Sequence, residues 1–197
     1  MGTAMSTEAT TPCSEPQVQC VEEVFQRIAS DLSMIADREL TLESVETEVM
    51  EKRPEGRGKI HISFRLCFQR GDDMAHGCLL VPLPDAISLA CALMMVPPEV
   101  VEANRAQDTL DSTTKDAMLE VGNFICSATD AALRALGVDG VKVCFEGCQG
   151  VRPDVRPAMA YEEGDPLVVG RALAGLAEFP KDTMILILPA QSLEAVG

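Results

Sequence analysis

Four polar side chains in the second half of the chain share a spacing that can do chemistry. Asp116, Glu120, Asn123 and Ser127 stand at +0, +4, +7 and +11. At about 100° per residue in a helix they fall within a stripe of roughly 60°. Such a helix would present two carboxylates, a carboxamide and a hydroxyl in a line, while Val121, Ile125, Ala128, Ala132 and Leu136 turn toward a core. A polar stripe is by default the solvated side of an amphipathic helix. Asp116 also has a local role open to it, because Thr113-x-x-Asp116 reads as a capping box. Asn123 and Gly122 resist that explanation. Asn competes for backbone hydrogen bonds inside a helix, and Gly costs about 1 kcal/mol there relative to Ala. Placed together in a segment rich in Ala, Leu and Met, they point to a functional reason, with Gly122 letting another backbone or a partner surface come close. A carboxamide offers both donors and an acceptor, so Asn123 can hold a water molecule in line for attack without being consumed.

Other chemistries are poorly served. His61 lies on the polar side of an alternating segment and His76 in a hairpin turn, and neither has a Ser or Cys in a nucleophile motif. Gly147-Cys-Gln-Gly150 is not a phosphate loop, because no Gly-Lys-Ser/Thr follows. Met94-Met95 sits on an apolar helix and reads as core. The eight cysteines include no CxxC pair, and Cys144 and Cys148 have no neighbouring His, so ligand spacing argues against a zinc site and no metal site is expected in the chain. Cys67, Cys78, Cys91, Cys126 and Cys144 fall in apolar periodic segments and read as small buried hydrophobes in a reducing cytoplasm. Met1–Pro16 is polar and lacks the apolar stretch of a secretory leader. Lys and Arg number 16 against 31 Asp and Glu, a net charge of −15 that repels phosphate backbones and anionic membrane surfaces. No apolar run approaches the length of about 18 residues that a membrane span needs.

The elements that must position the stripe are legible from periodicity. Residues 1–13 read as a disordered tail, and 14–197 as a single domain. Ser14-Glu-Pro-Gln is a capping box that opens a helix over about 15–37, carrying Val18, Val21, Phe25, Ile28, Leu32 and Ile35. Strands are expected over 40–50, 59–69, 77–83, 141–145, 166–176 and 183–188, with a short helix over 85–95 and the stripe helix over 113–136. Residues 99–110 read as loop or a short helical piece, and 147–157 as loop. Glu120-Val-Gly-Asn123 echoes Glu23-Val-Phe-Gln26, and Ile185-Leu-Ile-Leu-Pro189 echoes Leu80-Val-Pro-Leu-Pro84, which suggests one unit used twice, over about 14–95 and 111–197. The aromatic content is only 4%, so the core must be aliphatic. The expected architecture is α+β: a largely antiparallel sheet of about six strands packed with two long helices and a shorter one.

The segment Lys115-Asp-Ala-Met-Leu-Glu-Val-Gly-Asn-Phe-Ile-Cys-Ser resembles the signature helix of the CheC/CheX/FliY-type family of chemotaxis response-regulator phosphatases, in which an acidic or Ser residue is followed by Glu four on and Asn three further. Gly77-Cys-Leu-Leu-Val-Pro-Leu-Pro, with Ala86 and Leu89-Ala90, resembles the strand and helix that precede that signature. The resemblance implies a pseudo-twofold fold like that of the CheX branch, with one working helix. It implies removal of phosphate from the aspartyl phosphate of a CheY-like response regulator, Asn123 positioning the water and Glu120 docking the regulator through the Lys beside its phosphorylated Asp. Asp116, Gly122 and Ser127 would flank the docking surface. Any Mg²⁺ would belong to the regulator, the chain needing no cofactor of its own. Whether two chains pair through sheet edges, as in the CheX branch, stays open. The chain departs from the family in Ser127, where a small Gly is common, in having Pro153 as its first Pro downstream of the signature, and in Gln26 and Phe25 of the first-half copy, which marks that half as structural. These departures keep an alternative in play, a non-catalytic adaptor of the same fold in chemotaxis or two-component signalling.

Overall fold

The computed structural model describes residues 10–56 and 58–194; residues 1–9 of the expected tail lie outside the described residues. Helix α1 (Glu15–Ala36) begins where the sequence says it should: the Ser14 backbone N–H donates to Gln17 Oε1 at 3.0 Å, Pro16 occupies the first turn, and Asp37 ends the helix with a left-handed φ of 49°. Its apolar stripe buries Cys20, Val21, Val24, Phe25, Ile28 and Leu32. Helix α4 (Ser112–Ala135) lies beside it, and two shorter helices, α2 (Leu83–Leu93) and α3 (Pro98–Arg105), connect the halves. Both short helices start with Pro at the first or second position, where the missing N–H costs nothing.

Among the described residues, seven strands form one sheet in the order β1-β2-β6-β7-β4-β3-β5, antiparallel at every pairing. They are β1 (Thr10–Thr11), β2 (Leu40–Met50), β3 (His61–Arg70), β4 (Asp73–Pro82), β5 (Val141–Val151), β6 (Leu167–Leu176) and β7 (Asp182–Pro189). Thr10 and Thr11 pair with Met50 and Val49, so the end of the expected tail is an edge strand. The element order helix-strand-strand-strand occurs twice, as α1-β2-β3-β4 and α4-β5-β6-β7. The two sets interleave: β2 pairs with β6 and β5 with β3, while β4 and β7 meet at the centre. Strands β4 and β7 both end on a proline, Pro82 and Pro189, so strand β4 stops one residue before the expected end at Leu83.

Strand β5 runs to Val151, through residues expected to be loop. The register of β3 and β5 shifts between Phe64 and Leu66, and Gly147 there has a φ of 95°. The glycine that reads as a chain breaker is a β-bulge, which bends a strand without ending it. The same irregularity interrupts β2 opposite β6, between Glu43 and Glu46, with Ser44 at a φ of 47°.

Both faces of the sheet are covered. Ile62, Phe64, Leu66 and Phe68 of β3 pack with Leu79, Val81, Val168, Leu186 and Leu188 beneath α1, α2 and α4. The opposite face buries Met50, Cys78, Leu80, Val151, Leu167, Val169, Ile185 and Ile187, against which Met159 and Tyr161 pack. Arg53 stacks 5.5 Å from the centre of the Tyr161 ring and donates to the Pro157 carbonyl at 2.8 Å, holding that covering segment down. His61, expected on a polar side, is buried beside the chain at Gly56, where a Cβ would lie 2.5 Å from its Nδ1; that nitrogen is 3.0 Å from the Lys59 carbonyl, and burial holds the pKa down. The cysteines are free thiols; Cys67, Cys78, Cys91 and Cys126 are buried, whereas Cys144 is half-buried. Burial pushes Cys78 up to about 12 and Cys126 to about 11, which keeps them protonated and inert.

Candidate functional site

Helix α4 is anchored from several directions. Asp111 caps it, accepting the Thr114 N–H at 2.7 Å, and these hydrogen bonds hold the Asp111 carboxyl below its usual range. Asp116 therefore has no capping duty, contrary to the Thr113-x-x-Asp116 reading. Met118, Val121, Ile125, Ala128, Ala132 and Leu133 are buried on the inner side against α1, α2 and β5. At the far end Asp130 accepts the Val143 N–H of β5 at 3.0 Å and pairs with Arg134 at 2.7 Å, tying the helix to the edge strand.

On this platform Asp116, Glu120, Asn123 and Ser127 are all exposed on the outer side of α4. Among the described residues, no side-chain hydrogen bond or ion pair engages any of the four. A carboxylate one turn from a carboxamide is thus presented to solvent on a packed helix. Leu119, 43% exposed, borders Glu120 and Asn123. Sequence reading passed over it; its signal was an apolar residue at the margin of a polar stripe, and its exposed isobutyl group offers a docking surface something apolar to cover.

Gly122 is placed differently from expectation. It is buried, and a Cβ there would lie 2.1 Å from Cζ of Phe145. The close approach that Gly122 permits is made by the chain's own strand β5 and not by a partner. The first long helix also packs closely on a glycine, but one in a strand of the second set. Phe25 of α1, which occupies the place of Gly122 in the sequence echo, is buried near Gly170 of β6, where a Cβ would lie 3.0 Å from the Phe25 ring and 2.3 Å from Val21 Cγ1. At α4 the helix carries the glycine and β5 the ring, whereas at α1 the helix carries the ring and β6, a strand of the other set, carries the glycine. Glu23 is half-buried and Gln26 exposed on α1.

No family model matches the chain, and no curated protein matches it by sequence. Solved structures do. FliY of Thermotoga maritima superposes with a TM-score of 0.67 at 14% identity, over 93% of this chain and 94% of that one. A chain of the FliG-FliM complex from H. pylori gives 0.61 at 12% identity, covering 92% and 98%. The chemotaxis protein CheX from Desulfovibrio desulfuricans gives 0.53 at 13% identity, covering 86% and 98%. At these identities the likeness is one of backbone, and it extends over nearly the whole of each chain. The protein accordingly has the α+β fold of the CheC/CheX/FliY family, with its exposed Glu120–Asn123 pair on the second long helix of that fold.

Proposed function

We propose that this chain is a phosphatase of the aspartyl phosphate on a CheY-like response regulator, acting in the cytoplasm in chemotaxis or two-component signalling. The observation that carries the proposal is the pair Glu120 and Asn123, exposed and unpartnered among the described residues, one turn apart on a helix locked by its cap and its buried side. An acyl phosphate is already reactive, so hydrolysis needs little beyond a water held in line with the leaving carboxylate and charge stabilisation on the phosphoryl group. The Asn123 carboxamide accepts a hydrogen bond from that water and donates to a phosphoryl oxygen. Water oxygen bonds to phosphorus, the bond to the aspartyl oxygen breaks, and the regulator's carboxylate and inorganic phosphate are the products. Glu120, an anion unsuited to approach a phosphate as base, pairs with the Lys beside the phosphorylated Asp and sets the docking angle. Asp116 and Ser127 flank the contact, and Leu119 supplies its apolar margin. Mg²⁺, where required, is the regulator's.

The test is phosphate release from a cognate regulator charged with acetyl phosphate. The native chain should accelerate release above the regulator's own decay, and Asn123→Ala should lower that acceleration by about 10²–10³, the usual cost of removing one positioned polar group. Glu120→Ala should chiefly weaken complex formation. A native chain that leaves the regulator's own rate unchanged rules the enzyme out.

That last outcome would favour a second reading, a non-catalytic docking module. Its support is the likeness to a chain of the FliG-FliM complex together with the exposed Leu119. Binding of the phosphorylated regulator without turnover, weakened by Leu119→Ser, would establish it.

A further inference from the structure

Away from α4, on the other face of the sheet, a group of metal-binding side chains is assembled by strand register alone. His76 of β4 pairs directly with Cys67 of β3, and Cys67 pairs in turn with Cys144 of β5. Glu146 stands two residues beyond Cys144. One ligand atom from each of Cys67, His76 and Glu146 lies within 4.8 Å of the other two, and His76 Nε2 is 3.4 Å from Glu146 Oε1. We propose that Cys67, His76 and Glu146 bind one divalent ion of the zinc class.

The donor set fits that class. A thiolate, an imidazole and a carboxylate are the three ligand types that zinc takes, with bonds of about 2.0–2.3 Å that set tetrahedral donors roughly 3.3–3.8 Å apart. The 3.4 Å separation of His76 and Glu146 already matches, and the Cys67 thiol, within 4.8 Å of both, has to come closer by at most about 1 Å to reach the same spacing. A soft thiolate disfavours Mg²⁺ and Ca²⁺. One thiolate and one carboxylate balance the ion's two positive charges, the thiol proton leaving to solvent as the Zn–S bond forms. Arg65 donates to the Glu146 backbone carbonyl at 2.7 Å, a contact that leaves the carboxylate oxygens for the ion. Access is provided: Cys67 is 6% exposed, but the His76 and Glu146 side chains are 18% and 38% exposed, and His76 lines an open cavity of about 500 Å³ shared with Met74, Tyr161, Glu162 and Gln191. The site is separate from the α4 stripe, so it stands or falls independently of the phosphatase reading.

The experiment uses the full chain, reduced and stripped of metal. Zn²⁺ is titrated in competition with a chromophoric chelator, and Co²⁺ is titrated with its absorption spectrum as readout. The expected result is one equivalent bound, with a thiolate-to-cobalt charge-transfer band. His76→Gln and Glu146→Gln should each weaken binding by at least about tenfold, comparable to losses seen even for outer-shell changes. Cys67→Ser should abolish the charge-transfer band. Because Cys67 is buried, circular dichroism of that variant checks its fold, and the half-exposed Glu146 supplies a variant that folds regardless. Absence of the band in the native chain overturns the site; an unchanged band and affinity in Glu146→Gln and Cys67→Ser also overturns it and assigns the binding to other cysteines.

Discussion

Gly122 costs α4 about 1 kcal/mol of helix propensity relative to Ala, and packing gives the reason. The Phe145 ring lies where the missing side chain would be, 2.1–2.7 Å from a Cβ built there. Gly122→Ala should therefore destabilise the fold by about 1–3 kcal/mol, the usual range for overpacking, despite the propensity it gains. Urea unfolding measures this, and adding Phe145→Leu should recover part of the loss, since the two sites share one space. Equal stability of Gly122→Ala and native chain would mean that Phe145 moves aside without cost. At Asn123 the opposite logic holds. The residue is exposed and bonds nothing among the described residues, so Asn123→Ala should leave stability within about 0.5 kcal/mol of native, and a lost activity would report chemistry.

A buried ion pair joins helix α3 to the start of α2. Arg105 Nη1 bonds Asp85 Oδ1 at 3.0 Å and the Pro84 carbonyl at 3.1 Å, while its guanidinium lies 4.4 Å from the centre of the Phe179 ring. Asp85 is 3% exposed. Burial raises its carboxyl pKa, an effect that Arg105 opposes. Arg105→Ala strands a buried carboxylate and should cost about 3–5 kcal/mol. The pH dependence carries the signature. With the pKa of Asp85 raised in the folded state, the folded variant binds more protons than the unfolded chain, so its deficit should shrink as pH falls from 7 toward about 4, the ordinary Asp value. A deficit independent of pH would attribute the loss to the Arg105–Phe179 contact. No helix of the described residues is long and apolar enough to cross a membrane, in keeping with the charge distribution.

The interleaving of the two halves makes a whole-molecule prediction. Strand β2 finds its long partner in β6, and β5 in β3, so neither half can complete its own sheet. Fragments cut in the 106–111 connection should each be unfolded alone and should regain native circular dichroism when mixed, because the β2–β6, β3–β5 and β4–β7 ladders join one fragment to the other. A first fragment that folds by itself would show the halves to be separate domains.

The amino-acid sequence alone determined what depends on neighbours along the chain: the capped helix at Ser14, the alternation of β3, and above all the outward stripe of α4. Helical periodicity is a local property, and a residue's side of a helix follows from counting. Tertiary structure decided what depends on residues far apart. It set Phe145 against Gly122, turned Gly147 from a stop into a bulge, buried His61 beside Gly56, and brought Cys67, His76 and Glu146 together across three strands. Strand order and register are chosen by the energy of the assembled sheet, where a one-residue slip turns every side chain to the other face. No spacing in the linear chain contains that choice, because it exists only once β5 has found β3.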